Sequence, residues 1–291
     1  MNVRITVVVE NTAAEEDAGE GTLAEHGLAY WIEFGPRRVL FDCGQGKALD
    51  VNADKLGIPL EAADAIVLSH GHYDHSGGLA TVLRHGPECA LFAHPAALRP
   101  KYGRGEHGVA REIGMPAASE QAMREAADRW IKTDKPTEVV DGLTVTGPIP
   151  RETDFEDTGG PFFLDRDFQQ PDPLVDDQAL FFQTDRGTVV LLGCAHAGVV
   201  NTLRYIATLT RDAPIRAVLG GMHLLRASHE RLKRTVGEFR QRGIECLGPA
   251  HCTGDTAVAA IRHELPECYV PCHVGSRFEF SIAPADVAGR D

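Results

Sequence analysis

His70-Gly71-His72-Tyr73-Asp74-His75 decides the reading of this chain. Three imidazoles and a carboxylate fall within six residues. Ala65-Ile66-Val67-Leu68 before them is a short apolar run that predicts a strand. Leu79, Val82 and Leu83 after them carry helical spacing, which predicts a helix over Asp74–Arg84 with Asp74 in its first turn. A lone histidine at a strand end ordinarily just faces solvent. Four ligand-type side chains at one strand-to-helix turn are a different matter. Gly71 lets the backbone turn tightly, so that His70 and His72 can point at one ion. Asp74 and His75, at the helix start, can face a second. Two ions roughly 3.5–4 Å apart can activate a shared water and polarise a substrate oxygen. Imidazole with carboxylate suits zinc, and also iron or manganese.

Outward from this turn, the chain alternates strand and helix signals. Val3–Glu10 is a β-branched run, and Leu28–Phe34 with Arg38–Phe41 reads as a hairpin split by Gly35-Pro36. Ala48–Leu56 is expected helical, Cys89–Ala93 extended, and Glu120–Trp130 helical. Strand-like pieces occupy Glu138–Thr146. The second half repeats this alternation, with strands at Ala179–Gln183, Thr188–Leu192, Arg216–Leu219 and Ile244–Leu247, helices at Val199–Thr210, His229–Arg242 and Asp255–Glu264, and a closing strand pair, Cys268–Pro271 with Arg277–Ile282. Two strand-rich halves with outer helices predict an α/β fold of αββα type, two mixed sheets face to face with helices outside. The expectation is a single domain over 1–291, with an inserted helical and loop region at 95–135. Arg151–Pro173, rich in Pro, Gly and Asp, reads as a long loop, and loops of that length inside a domain are usually functional.

Composition narrows the partners. Of 291 residues, 43% are hydrophobic and 24% charged, an ordinary globular balance. The formal net charge is -13, with no dense Lys/Arg run, so nucleic acid is not an expected partner. One acidic cluster, Glu15, Glu16, Asp17 and Glu20, reads as a solvated loop. Seven unpaired-looking cysteines point to a reducing compartment. The N-terminus reads as a first strand, and no apolar run approaches the ~18 residues a membrane helix needs. A cytoplasmic protein without membrane contact is expected.

His-x-His-x-Asp-His after a hydrophobic strand resembles the signature of the metallo-β-lactamase superfamily, and Phe41-Asp42-Cys43-Gly44 resembles the turn that this fold places beneath the metal loop. Asp42 would then orient a ligand histidine from behind. Gly193-Cys194-Ala195-His196-Ala197-Gly198 stands where the superfamily usually has Gly-Asp, the aspartate bridging the metals. Here Cys194 replaces it, either as support behind the ligands or as a thiolate ligand itself, and His196 is the preferred ligand. Gly248-Pro249-Ala250-His251-Cys252-Thr253-Gly254 resembles the last ligand motif, making His251 the expected ligand of the second ion. Thr253 and Gly254, at a helix start, would take a substrate anion. His223, in Gly220-Gly221-Met222-His223-Leu224, is expected to contact substrate, with ligation left open. These segments, with Val9-Glu10-Asn11-Thr12 and Thr146–Arg151, look similar to a branch labelled 7,8-dihydropterin-6-methyl-4-(β-D-ribofuranosyl)-aminobenzene-5′-phosphate synthase-like.

The resemblance implies two divalent ions, zinc foremost, held by His70, His72, Asp74, His75, His196 and His251. Asp74 would also accept a proton. The expected activity is hydrolysis of an ester, lactone or phosphate on a small molecule, phosphate-bearing ones included. The rivals are the pterin-related synthase and a ligand-sensing protein of low turnover. Lys101–Gly108 or the Arg151–Pro173 loop would close over the substrate, with Phe155, Phe162 or Phe163 available to a ring. The oligomeric state is not legible in the sequence.

Overall fold

The computed structural model describes residues 1–13, 21–86 and 88–282. The acidic cluster at Glu15–Glu20 lies outside them. In chain order the strands of the first half are β1 (Asn2–Val9), β2 (Ala29–Phe34), β3 (Arg37–Phe41), β4 (Ala65–Val67), β5 (Ala90–Ala93), β6 (Tyr102–Arg104), β7 (Ala110–Glu112) and β8 (Trp130–Lys132). Those of the second half are β9 (Thr137–Val140), β10 (Leu143–Val145), β11 (Phe162–Phe163), β12 (Ala179–Thr184), β13 (Gly187–Leu192), β14 (Ile215–Gly221), β15 (Cys246–Ala250) and β16 (Arg277–Ser281). The helices are α1 (Leu49–Leu56), α2 (Tyr73–Ser76), α3 (Leu79–Arg84), α4 (Ala117–Glu125), α5 (Val199–Leu209), α6 (His229–Arg242) and α7 (Asp255–Glu264).

One sheet runs β16-β1-β2-β3-β4-β5-β8 and the other β15-β14-β13-β12-β10-β9. Strand alternation sorts their side chains into three apolar layers. Tyr30, Ile32, Val39, Phe41 and Val67 of the first sheet meet Leu180, Phe182, Val189 and Leu191 of the second in the central core. On the outer side of the first sheet, Trp31, Leu40 and Ile66 pack against Leu49, Leu79, Val82 and Met123 of α1, α3 and α4. On the outer side of the second, Phe181, Val190 and Leu192 pack against Leu203, Phe239 and Ile261 of α5, α6 and α7. This is the expected four-layer arrangement.

Parallel pairing sets where function can sit. β3, β4, β5 and β8 are parallel neighbours, and so are β13, β14 and β15. Their carboxyl ends open on the same edge of the sandwich, where ligands collect in sheets of this kind.

Four local expectations change. The helix after the hexapeptide is two helices, α2 and α3, interrupted at Gly77-Gly78. The helix through Trp130 stops at Glu125, because Trp130 pairs with Leu91 as part of β8 and its indole N–H donates to the Ala93 carbonyl at 3.0 Å. β15 begins at Cys246 and continues through Gly248-Pro249, since an edge strand needs no inward-facing N–H from proline. Arg277–Ser281 pairs antiparallel with β1 instead of with Cys268–Pro271, which touches the sheet at a single Leu247–Tyr269 bridge. Residues 95–135 carry the β6-β7 hairpin and α4, and β11 from the long loop joins that hairpin as a small third sheet. No helix among the described residues is long and apolar enough to cross a membrane.

Candidate metal centre

Asp42 is the keystone of the first half of the site. It follows β3 in a left-handed conformation (φ 61°), a strain that persists where surrounding contacts fix it. Its fully buried carboxylate accepts the Ser69 N–H, the Ser69 hydroxyl and the Nδ1–H of His75, each at 2.7 Å. The Ser69 hydroxyl, spent as a donor on Asp42, in turn accepts from Nδ1 of His70 at 2.9 Å. One carboxylate thereby fixes the tautomer of two imidazoles, each left with an unprotonated Nε2 facing the cavity floor.

The second half locks its histidines the same way. His196 Nδ1 lies 2.9 Å from the Thr158 carbonyl, which leaves its buried Nε2 without a hydrogen-bond partner. His251 Nδ1 lies 2.9 Å from the Asn11 side-chain oxygen, and Glu10 accepts the His251 backbone N–H at 2.7 Å. Nε2 of His251 and Nε2 of His75 then face each other at 3.2 Å. Two lone pairs at that separation repel unless a cation or proton stands between them. Nε2 of His70 likewise lies 3.0 Å from Nδ1 of His72. This donor set fits divalent metal.

Four groups of ligand-type atoms emerge among the described residues, each mutually within 4.8 Å, and two of them form the floor: His70, Cys194 and His196 in one, His75, Cys194 and His251 in the other. His72 adds to the first, its ring 4.9 Å from that of His196. Asp74 adds to the second, with Oδ2 3.4 Å from His251 Nε2. Burial, followed by repulsion from neighbouring imidazoles, pushes the His70 and His196 pKa values well below the usual range, and burial lowers His72 to about 3. These rings are neutral at physiological pH, the form in which an imidazole can take a metal. Burial also disfavours charge on His75, but Asp42 outweighs it and raises that pKa. Burial works against ionised Asp74 as well, yet the imidazoles of His251 and His26 beside it hold its carboxyl well below the usual range.

Several positions differ from expectation. Gly71 is needed for close approach, since a Cβ there would sit 2.1 Å from the Ala97 carbonyl oxygen. The Thr253 hydroxyl is fully buried, donating to the Ala250 carbonyl and accepting from Met222 N–H, so it does not face a substrate; Gly254 does line the cavity. His223 stands at the end of β14, its ring centroid 4.3 Å from that of His196 and its Nδ1 unpartnered. His26, which no motif singled out, places Nε2 3.0 Å from Asp74 Oδ2 with its side chain half exposed. Lys101 turns inward rather than closing over the cavity. It is buried between Asp172 and Asp176, and Asp176 also accepts the Gly71 N–H at 2.8 Å. Asp177 accepts the Ala197 N–H at 2.8 Å, and burial raises its pKa to about 7.

Above the histidines lies a cavity of about 970 Å³. Phe162, from the long loop, roofs it with its ring 5.3 Å from those of His72 and His196. Phe163 packs on Phe168, and Phe155 packs into the outer core. Arg104, Arg111 and Arg226 line the mouth, and none of them is paired with a carboxylate among the described residues. Arg111 donates to the Tyr73 hydroxyl at 2.7 Å, and Arg104 lies over the Phe168 ring at 4.5 Å.

Residues 23–251 match the family model described as the metallo-beta-lactamase superfamily. A 7,8-dihydropterin-6-methyl-4-(beta-D-ribofuranosyl)-aminobenzene-5'-phosphate synthase of Methanocaldococcus jannaschii is 27% identical over 92% of this chain and 95% of its own length. The crystal structure of Tm1679, a metal-dependent hydrolase of the beta-lactamase superfamily, superimposes with a TM-score of 0.79 at 30% identity, covering 96% of this chain and 99% of the other. Zinc-bound PqqB from Methylobacterium extorquens shares the fold at a TM-score of 0.57 and 15% identity, over 94% of this chain and 99% of its own.

Proposed function

This chain belongs to the metallo-beta-lactamase superfamily, and from that premise we propose that it is a dinuclear metal-dependent hydrolase acting on a small anionic, phosphate-bearing substrate. The observation that carries the proposal is the convergence of unprotonated imidazole nitrogens from both halves of the sandwich at the floor of one cavity.

His70, His72 and His196 would hold one divalent ion, and Asp74, His75 and His251 the other, with zinc the favoured metal. Bound ions of this kind lower the pKa of water towards ~7 and polarise a substrate oxygen. Asp74 accepts the proton released at the site, and His26, 3.0 Å away and half exposed, passes it to solvent. His223, beside His196, contacts the leaving side of the substrate. Asp42, Ser69, Asn11 and Thr158 hold the imidazole rings in register so that little reorganisation accompanies the reaction.

The mouth supports this substrate class. The chain carries a net charge of -13, yet three arginines without carboxylate partners among the described residues stand at this opening. Guanidinium groups recognise phosphate through two parallel hydrogen bonds. Phe162 and Tyr73 offer ring faces along the path inward. A planar ring carrying a phosphate fits that combination, and this favours one second reading, an enzyme of the pterin-related synthase kind named for the Methanocaldococcus jannaschii relative.

The test removes one ligand from each ion. His72→Ala and His251→Ala should each lose close to one metal equivalent by elemental analysis, and with it turnover of phosphodiester, lactone and phosphate-bearing pterin substrates. Full metal content and activity in both variants would overturn the assignment. Full metal content in wild type with no turnover on any of these would favour the ligand-sensing reading instead.

A further inference from the structure

Cys194 is the one side chain common to both ligand groups. Its sulfur lies mutually within 4.8 Å of the ligand atoms of His70 and His196 on one side and of His75 and His251 on the other. It stands 3.1 Å from His75 Nε2, the nitrogen that Asp42 leaves unprotonated. The residue is 2% exposed, at the carboxyl end of β13, and the Gly193 carbonyl before it is tied to the Gly221 N–H at 3.1 Å. A small buried residue serving only as packing would sit among apolar neighbours. This one sits among imidazole nitrogens, of which His196 Nε2 has no hydrogen-bond partner.

We infer that Cys194 is a metal ligand shared between the two ion positions, a bridging thiolate that biases the centre towards thiophilic ions. The inference rests on the dinuclear reading above and sharpens it. Thiolate sulfur carries enough lone pairs to face two ions at once. Binding releases the thiol proton to solvent. Zinc, ferrous and cobaltous ions accept such sulfur, whereas magnesium and manganese prefer oxygen. Cys252 is the competing sulfur. It lies with His223 in a third group around Cys194 and donates to the Cys194 carbonyl at 3.7 Å, but it belongs to neither of the two groups that hold His70 and His75.

The experiment replaces native metal with cobalt in the full chain, kept reduced with a phosphine, and reads absorbance and stoichiometry rather than activity. Wild type should take up two cobalt ions and show a near-ultraviolet thiolate-to-cobalt charge-transfer band. Cys252→Ser should keep that band. Cys194→Asp should still bind two ions but lose the band, and its preference for zinc over manganese should narrow by ~10-fold or more, the scale on which metal-site contacts change affinity. Cys194→Ser, a smaller change, should lose the band too. Two cobalt ions bound by wild type without the band, or a band surviving in both Cys194 variants, would overturn the inference and leave the hydrolase reading intact. No cobalt uptake by wild type would defeat both.

Discussion

Replacing Lys101 with methionine probes how the metal loop is held. The Lys101 ammonium is 1% exposed and reaches Asp172 at 2.9 Å and Asp176 at 2.8 Å, both carboxylates being buried. Methionine fills similar space but leaves two buried carboxylates without a counter-charge. Breaking a buried pair in this way costs roughly 3–5 kcal/mol. At roughly 2–4 °C per kcal/mol for a domain of this size, Tm at pH 7 should fall on the order of 10 °C. The loss should also reach the site, because Asp176 is the acceptor for the Gly71 N–H between His70 and His72. Metal affinity should drop ~10–100-fold, as when supports behind metal ligands are removed. The pH dependence is a separate check. Burial works to raise the Asp176 pKa in wild type, but Lys101 outweighs it and holds the carboxyl below its ordinary value. That stabilisation is present above the usual carboxylate range and is lost as pH falls through the lowered pKa. In Lys101→Met burial dominates, the carboxyl pKa rises, and the variant loses stability as pH climbs. The gap between the two proteins should therefore be widest near pH 7 and shrink towards pH 4. Calorimetric unfolding across that range, with metal titration at pH 7, measures both effects. A variant that melts with wild type and binds metal equally well would refute the reasoning.

Two further perturbations separate ligand orientation from substrate contact. Asp42→Asn keeps a side chain that tolerates the left-handed backbone but removes the charge facing His75, and should weaken the ion at His75 by ~10–100-fold with circular dichroism unchanged; two ions bound at wild-type affinity would count against this role. Gly159→Ala puts a Cβ 1.8 Å from the His223 ring at a positive φ, so His223 must move. If His223 works on substrate rather than metal, kcat on a chromogenic phosphodiester should fall by roughly 10²-fold at unchanged metal content, and loss of a metal equivalent would make it a ligand.

The parts of this molecule legible in sequence were those governed by local rules. The strand before His70, the helix bounds His229–Arg242 and Asp255–Glu264, and the four layers follow from alternation and helical spacing. Histidines at the ends of β4, β13, β14 and β15 stood out because each interrupts an apolar run. What sequence could not supply was partnership across the fold. Nothing near Lys101 announces Asp172 and Asp176 some seventy residues on. His26 lies in an ordinary loop and matters only because the chain lays it against Asp74. Thr253 looked like an open helix start, yet an acceptor in its own turn and a donor, the Met222 N–H just past β14, consume its hydroxyl. The strand expected to end at Leu247 runs on through Gly248-Pro249 to Ala250, because its edge position was not visible.

The contact between Asn11 and His251 spans 240 residues. A polypeptide made from its amino terminus will carry the hexapeptide for most of its synthesis with no opposing imidazole to complete the cage. Closing so long a loop is entropically slow and comes late. On the proposed dinuclear reading, the second ion position would be complete only once His251 docks, so ion capture there would be among the last steps of maturation.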